Sequence, residues 1–130
     1  MPVDRSLRIL LADDQDTFLE IMLAMLRQLG FRNVDVVKDG IKAITAMSRA
    51  ADPYGLVISD WNMQPMSGLQ LLQEVRADPA LAPTPFIMVT GEGSKDRVIA
   101  ALGAGVTGYI VKPISPDTLR KKLSNLLGPL

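Results

Sequence analysis

The chain has 130 residues, 48% hydrophobic and 22% charged, which is enough apolar material for one domain with a real core. Fourteen basic residues balance fourteen acidic ones, so there is no basic field for nucleic acid and no polybasic membrane signal. With no cysteine and no histidine, disulfides, thiolate chemistry, Ser-His-Asp triads and most zinc sites are excluded.

Short apolar runs alternate with longer segments of helical period. Leu7, Ile9, Leu10 and Leu11 form a first strand ending at Asp13 and Asp14. In "DTFLEIMLAMLRQLG", Phe18, Ile21, Met22, Met25 and Leu29 recur at helical spacing, Thr17 and Glu20 read as a capping box, and Gly30 reads as the stop. "NVDVV" is a second, weaker strand, and Asp39 caps a helix through about Arg49. The third strand, Leu56 to Ser59, ends at Asp60, and Ser67 with Gln70 opens a helix through about Arg76. "DPALAPTP" is a loop. Phe86 to Val89 is the fourth strand, ending at Thr90, and a helix from about Lys95 to Ala104 is stopped by Gly105. Tyr109 to Val111 is the fifth strand, ending at Lys112 and Pro113, after which Ser115 caps a last helix with Pro116 at its first position.

Strands alternating with helices imply parallel pairing with helices on both faces, and continuous apolar runs agree with strands buried on both sides. The expected fold is an α/β, doubly wound, five-stranded parallel sheet in five βα units. A single domain over residues 1–130 is expected, with no second domain. Residues 1–8 hold no long apolar stretch, and no run reaches the roughly 18 residues of a membrane span, so a cytoplasmic location is expected.

The strand ends carry the chemistry. In an open parallel sheet they share one edge, where such folds place ligands. Asp13, Asp14 and Asp60 therefore converge with the Thr90 hydroxyl and the Lys112 ammonium. Clustered carboxylates repel, and a hard divalent cation is the simplest remedy; carboxylate sites that keep waters suit magnesium. Such a site invites a phosphoryl group, with a carboxylate as nucleophile. Each residue also has a plain reading. Asp13 and Asp14 could help a helix start, Asp60 could form a turn, Thr90 could be an ordinary strand residue and Lys112 a surface charge. The functional reading rests on all five standing at strand ends of one chain.

On "LADD", "VISDWNM", "MVTGE" and "GYIVKP", the sequence resembles the receiver domain of two-component response regulators, most closely the single-domain chemotaxis (CheY-like) type, from about Leu7 to Leu127. The resemblance implies the flavodoxin-like (βα)5 fold, with strand order 2-1-3-4-5. It implies Asp60 as phosphoacceptor, Asp13 and Asp14 as the acidic pair at a Mg2+ site with Asp14 favoured as direct ligand, and the Asn62 main-chain carbonyl as a further ligand. Thr90 corresponds to the switch hydroxyl, Lys112 to the phosphate-binding lysine and Tyr109 to the switch aromatic. The Lys112–Pro113 bond is expected to be cis. The side chains of Asn62 and Glu92, each two residues past a chemical position, are expected to tune the lifetime of the phosphorylated state. Some positions depart from the family. Gln64 precedes Pro65, one position later than the family's usual Met-Pro, Ser67 stands where Asp often precedes the loop glycine, and Ile114 replaces the Phe that usually follows Lys-Pro.

The implied partners are a sensor histidine kinase as phosphohistidine donor and a target protein docking on the fourth helix, fifth strand and last helix. Neither nucleic acid nor membrane is expected as a partner, and the chain is expected to be monomeric. Val98, Ile99, Ala101 and Leu102 span more of the fourth helix than one buried stripe needs, which reads equally as scattered exposed apolar residues or as a partner surface. Chemotaxis is favoured, with a phosphorelay or adaptor role in another two-component pathway as the alternative. Two further classes stay open: a flavodoxin-like enzyme, against which stands "ADDQDT" in place of a Gly-rich phosphate loop, and an interaction-only pseudo-receiver.

Overall fold

The structure is a computed structural model that describes residues 4–91 and 93–130. Its elements run β1 (Ile9–Ala12), α1 (Asp16–Gln28), β2 (Val34–Val37), α2 (Gly40–Arg49), β3 (Leu56–Asp60), α3 (Gly68–Ala77), β4 (Phe86–Thr90), α4 (Lys95–Gly103), β5 (Gly108–Val111) and α5 (Pro116–Leu127). The strands form one parallel sheet in the order β2-β1-β3-β4-β5, as expected.

The two-residue period of a strand divides the core into two layers. Ile9 and Leu11, Leu56 and Ile58, Ile87 and Val89, and Ile110 face α1 and α5, where Leu19, Met22, Leu26, Leu119 and Leu123 meet them. Leu10 and Ala12, Val57, and Phe86 and Met88 face the other way, onto Ala43, Met47, Leu71, Leu72 and Val75 of α2 and α3. Every residue of β1, β3 and β4 is buried, while the edge strands β2 and β5 are partly open. This explains why the central strands read as unbroken apolar runs and "NVDVV" as weak. Each fully buried leucine or isoleucine here stabilises the fold by roughly 1.5–3 kcal/mol.

Most of the anticipated caps are present. Asp39 accepts from the Lys42 amide, Ser67 and Gln70 form a reciprocal capping box, and Ser115 accepts from Thr118 with Pro116 opening α5. Gly30 and Gly105 take positive φ just past α1 and α4, where a side chain would be strained. One cap differs. α1 begins at Asp16, with Gln15 at the N-cap and no side-chain cap bond, so Thr17 and Glu20 do not form a box. The start of α1 is held instead by Asp13, whose Oδ1 accepts from the Gln15 amide at 3.0 Å. The Lys112–Pro113 bond is cis, and so is Gln64–Pro65. No helix is long and apolar enough to cross a membrane among the described residues.

Candidate functional site

The alternation that builds the core also aims the site. Asp60 shares the sheet face of Leu56 and Ile58. Asp13 continues the face of Ile9 and Leu11, and Lys112 that of Ile110. All three therefore meet on the α1–α5 side of the sheet edge. Lys112 Nζ lies 3.2 Å from Asp13 Oδ2 and 3.3 Å from Asp60 Oδ1, bridging the ends of β1 and β3 from beyond β5. The lysine backbone is pinned as well, its N–H donating to the Thr90 carbonyl at 2.7 Å. Thr90, in phase with Phe86 and Met88, is on the opposite face, toward α3 and α4. Tyr109 lies beside Met88 in the ladder and packs on that same layer.

Asp13 is fully buried and Asp60 is 5% exposed, whereas Asp14 is exposed. One carboxylate oxygen from each of the three can be chosen so that all lie within 4.8 Å of one another. Burial, above all, holds the carboxyls of Asp13 and Asp60 above the usual carboxylate range. For Asp60 the neighbouring Asp13 charge raises it further, and Lys112 pulls it back down. For Asp13 the Gln15 amide and Lys112 act against the rise. These groups therefore have an incentive to take up positive charge, whether as protons or as a cation. Their donor atoms are all hard carboxylate oxygens, the set that magnesium accepts. Beside them opens a recess of about 400 Å³ lined by Asp14, Trp61, Asn62, Met63, Gln64 and Ser67.

Asn62 is exposed at the rim, in the loop after β3. Glu92 lies outside the described residues. Three contributors went unread in the sequence. Phe18 of α1 places its ring centre 4.0 Å from Lys112 Nζ, so the ammonium lies over the ring face as well as beside the two carboxylates. Gly68 opens α3 directly against the Asp60 backbone and donates its N–H to the Trp61 carbonyl at 2.9 Å. Arg97, in the first turn of α4, places Nη1 3.4 Å from Thr90 Oγ1 and 3.4 Å from Asn62 Oδ1, with its guanidinium carbon 4.7 Å from the centre of the Trp61 ring. Its sequence position did not mark it, since Lys95 is a cation in the same first turn and stands exposed.

The profile of the response regulator receiver domain matches residues 9–124, nearly the whole chain and all of the constellation just described. The chain belongs to the response regulator receiver domain family. It is 38% identical over 128 residues to chemotaxis protein CheY-3 of Vibrio cholerae, covering 98% of this chain and 97% of that protein. It is 42% identical over 122 residues to chemotaxis protein CheY1 of Helicobacter pylori, covering 94% and 98%. Among solved structures, Vibrio cholerae chemotaxis response regulator CheY4 superposes with a TM-score of 0.83 at 30% identity, covering 93% of this chain and 98% of that one. The receiver domain of the Pseudomonas aeruginosa sensor histidine kinase PA1611, described with a magnesium ion coordinated in its active site cleft, superposes with a TM-score of 0.84 at 29% identity, covering 95% and 98%. As a receiver domain the chain is a signalling module of two-component systems rather than a metabolic enzyme.

Proposed function

We propose that the chain accepts a phosphoryl group on Asp60 from a phosphohistidine of a sensor kinase, and that it signals by docking to a target protein in chemotaxis or flagellar motor control. The observation that carries this reading is Lys112 Nζ set 3.3 Å from Asp60 Oδ1 and 3.2 Å from Asp13 Oδ2 at the sheet edge. In the transfer, an Asp60 oxygen forms the new bond to phosphorus as the phosphorus–nitrogen bond of the donor breaks, and the electron pair leaves with the imidazole. The chain has no histidine, so the donor is another molecule. Lys112 turns from the carboxylates to the transferred phosphoryl oxygens, which carry more charge. Phe18 and the buried ends of β1 and β3 line one side of the pocket with apolar groups, and the lower polarity there strengthens each of these contacts. Asp13, Asp14, Asp60 and the Asn62 main-chain carbonyl would hold a magnesium ion, which when bound supplies charge neutralisation for the phosphoryl oxygens.

The phosphorylated site carries about −1.5 to −2 charge at pH 7. Thr90, buried on the α4 side, would turn its hydroxyl toward that charge, and Tyr109 would follow behind it, biasing a pre-existing equilibrium. The output is a surface. Ile99 and Leu102 of α4 are 56% and 62% exposed and Val111 of β5 is 44% exposed, while Ala101 alone supplies the fully buried contact of α4. Lys95 and Lys121 stand exposed nearby, Lys121 paired with Asp117. Asn62, and with it Glu92, would set how long the signal lasts. The proposal places the protein in the cytoplasm, acting as a lone, monomeric receiver, in keeping with relatives matched over nearly their full length.

The test is chemical. Wild type and Asp60→Asn are treated with acetyl phosphate and magnesium and their intact masses compared. One added phosphoryl group on wild type alone is the expected result, and the same addition on the variant would remove Asp60 from the role. Capture of a flagellar component by the beryllofluoride-treated protein is expected; capture only of another two-component protein would move it to a phosphorelay.

A further inference from the structure

Arg97 is the structure's largest addition to the site. Its guanidinium touches three residues around the pocket mouth: Thr90 at the end of β4, and Asn62 and the ring of Trp61 in the loop after β3. The contacts to Thr90 and Asn62 are all 3.4 Å, at the long limit of a hydrogen bond. The stack on Trp61 meanwhile holds the guanidinium plane at the rim and removes much of the freedom that a long side chain would otherwise lose on binding. Lys112 approaches from the α1–α5 side of the sheet, Arg97 from the α4 side.

Charge gives this placement a purpose. Asp13, Asp14 and Asp60 carry three negative charges against the single positive charge of Lys112, and a divalent cation brings that set to neutrality. Phosphorylating Asp60 exchanges one negative charge for nearly two and adds three acceptor oxygens, more than the single ammonium of Lys112 can serve. An arginine fork matches such oxygens in geometry and in charge.

We propose that Arg97 is the second cationic ligand of the phosphoryl group, exchanging Thr90 Oγ1 and Asn62 Oδ1 for phosphoryl oxygens at the pocket rim once Asp60 is phosphorylated. The inference rests on Asp60 being the phosphoacceptor. Its consequence is twofold: the departure of Arg97 releases the Thr90 hydroxyl to make its own turn toward the phosphoryl group, and it moves the first turn of α4, which leads to the exposed Ile99 and Leu102.

The experiment measures two affinities by titration calorimetry in wild type, Arg97→Ala and Arg97→Lys: magnesium alone, then beryllofluoride at saturating magnesium. Removing a positive charge from beside an acidic cluster cannot weaken a cation's binding. The expectation is therefore that Arg97→Ala binds magnesium as tightly as wild type or more so, yet binds beryllofluoride about tenfold more weakly, the loss of one charge-assisted bond. Arg97→Lys should fall between. Equal or tighter beryllofluoride binding by Arg97→Ala would show that the arginine only restrains Thr90, and would overturn the proposal. A proportional loss of both affinities in both variants would mark a structural role and also overturn it. Should wild type itself not bind beryllofluoride, the phosphoacceptor reading falls and this inference with it; wild-type binding with an unaffected Arg97→Ala removes this inference alone.

Discussion

A Cβ built on Gly68 falls 2.1 Å from the carbonyl oxygen of Asp60 and 3.0 Å from its carbonyl carbon. The loop from Trp61 to Ser67 thus folds back so tightly that the first residue of α3 lies on the backbone of the candidate phosphoacceptor. Because the obstructing atoms are main chain in a fully buried strand, they cannot swing aside as a side chain would. Gly68→Ala is expected to cost about 1–3 kcal/mol, the usual range for overpacking, and to shift the emission of the adjacent Trp61. Thermal unfolding and fluorescence check both. An unchanged midpoint would mean the loop relaxes freely.

Lys112 neutralises two buried carboxylates at once. Lys112→Met leaves Asp13 and Asp60 facing each other without it, so the metal-free protein should lose about 1–3 kcal/mol of stability at pH 7. The same change should tighten magnesium binding, since the cation no longer competes with an ammonium. Denaturant unfolding without magnesium gives the first quantity and calorimetry the second. Weaker magnesium binding in the variant would show that the lysine organises the site rather than competing for it.

Asp60→Asn should stabilise the metal-free protein, and the gain should depend on pH in a defined direction. The Asp60 carboxyl is raised by its own burial first and by the Asp13 charge second. A carboxyl raised in the folded state takes up protons on folding. Its favourable contribution is complete below the unfolded pKa and is lost as pH rises through the raised folded value. The midpoint difference, variant minus wild type, should be small near pH ~4 and grow to about 3–5 °C at pH 7, roughly 1 kcal/mol for a chain of this size. The lowered carboxyls of Asp35 and Asp117 are common to both proteins and cancel. A difference that shrinks as pH rises would contradict the assigned cause.

The fold was legible because its signals are local and periodic. Three strands buried on both faces read as apolar runs, and of the four helices whose caps the sequence named, all but one begin at them. The exception, α1, is started by Asp13, whose oxygen also faces the site; one side chain does both jobs, and only geometry separates them. The residues ending β3 and β4, and those just past β1 and β5, could be read as one cluster because parallel topology carries them to one edge. Phe18, Gly68 and Arg97 could not. Phe18 looks like any apolar helix residue, and the tight approach of Gly68 depends on how the loop after Asp60 closes. Arg97 reaches the site only through the crossing of α4 over the end of β4, a tertiary fact with no sequence period.

The phosphorylated state is expected to be short-lived, and Asn62 is the residue whose surroundings bear on this. Hydrolysis needs a water in line with the phosphorus–oxygen bond, approaching from the open side. Asn62 is exposed at that rim, next to the recess it shares with Asp14 and Trp61. It is short, and its amide can both donate to and accept from a water. Its Oδ1 lies 3.4 Å from Arg97 in the unphosphorylated chain and is released to accept from a water when Arg97 moves to the phosphoryl group. A methionine would fill the approach with apolar bulk and offer nothing to orient the nucleophile. Asn62→Met is therefore expected to slow self-dephosphorylation by about tenfold, or 1.4 kcal/mol of barrier. Glu92→Leu should act in the same direction through its matching sequence position beyond Thr90. Phosphorylated protein would be freed of acetyl phosphate by rapid desalting, and the decay of the phosphoprotein mass followed for wild type and both variants. Equal decay in all three would show that the water does not enter past these side chains.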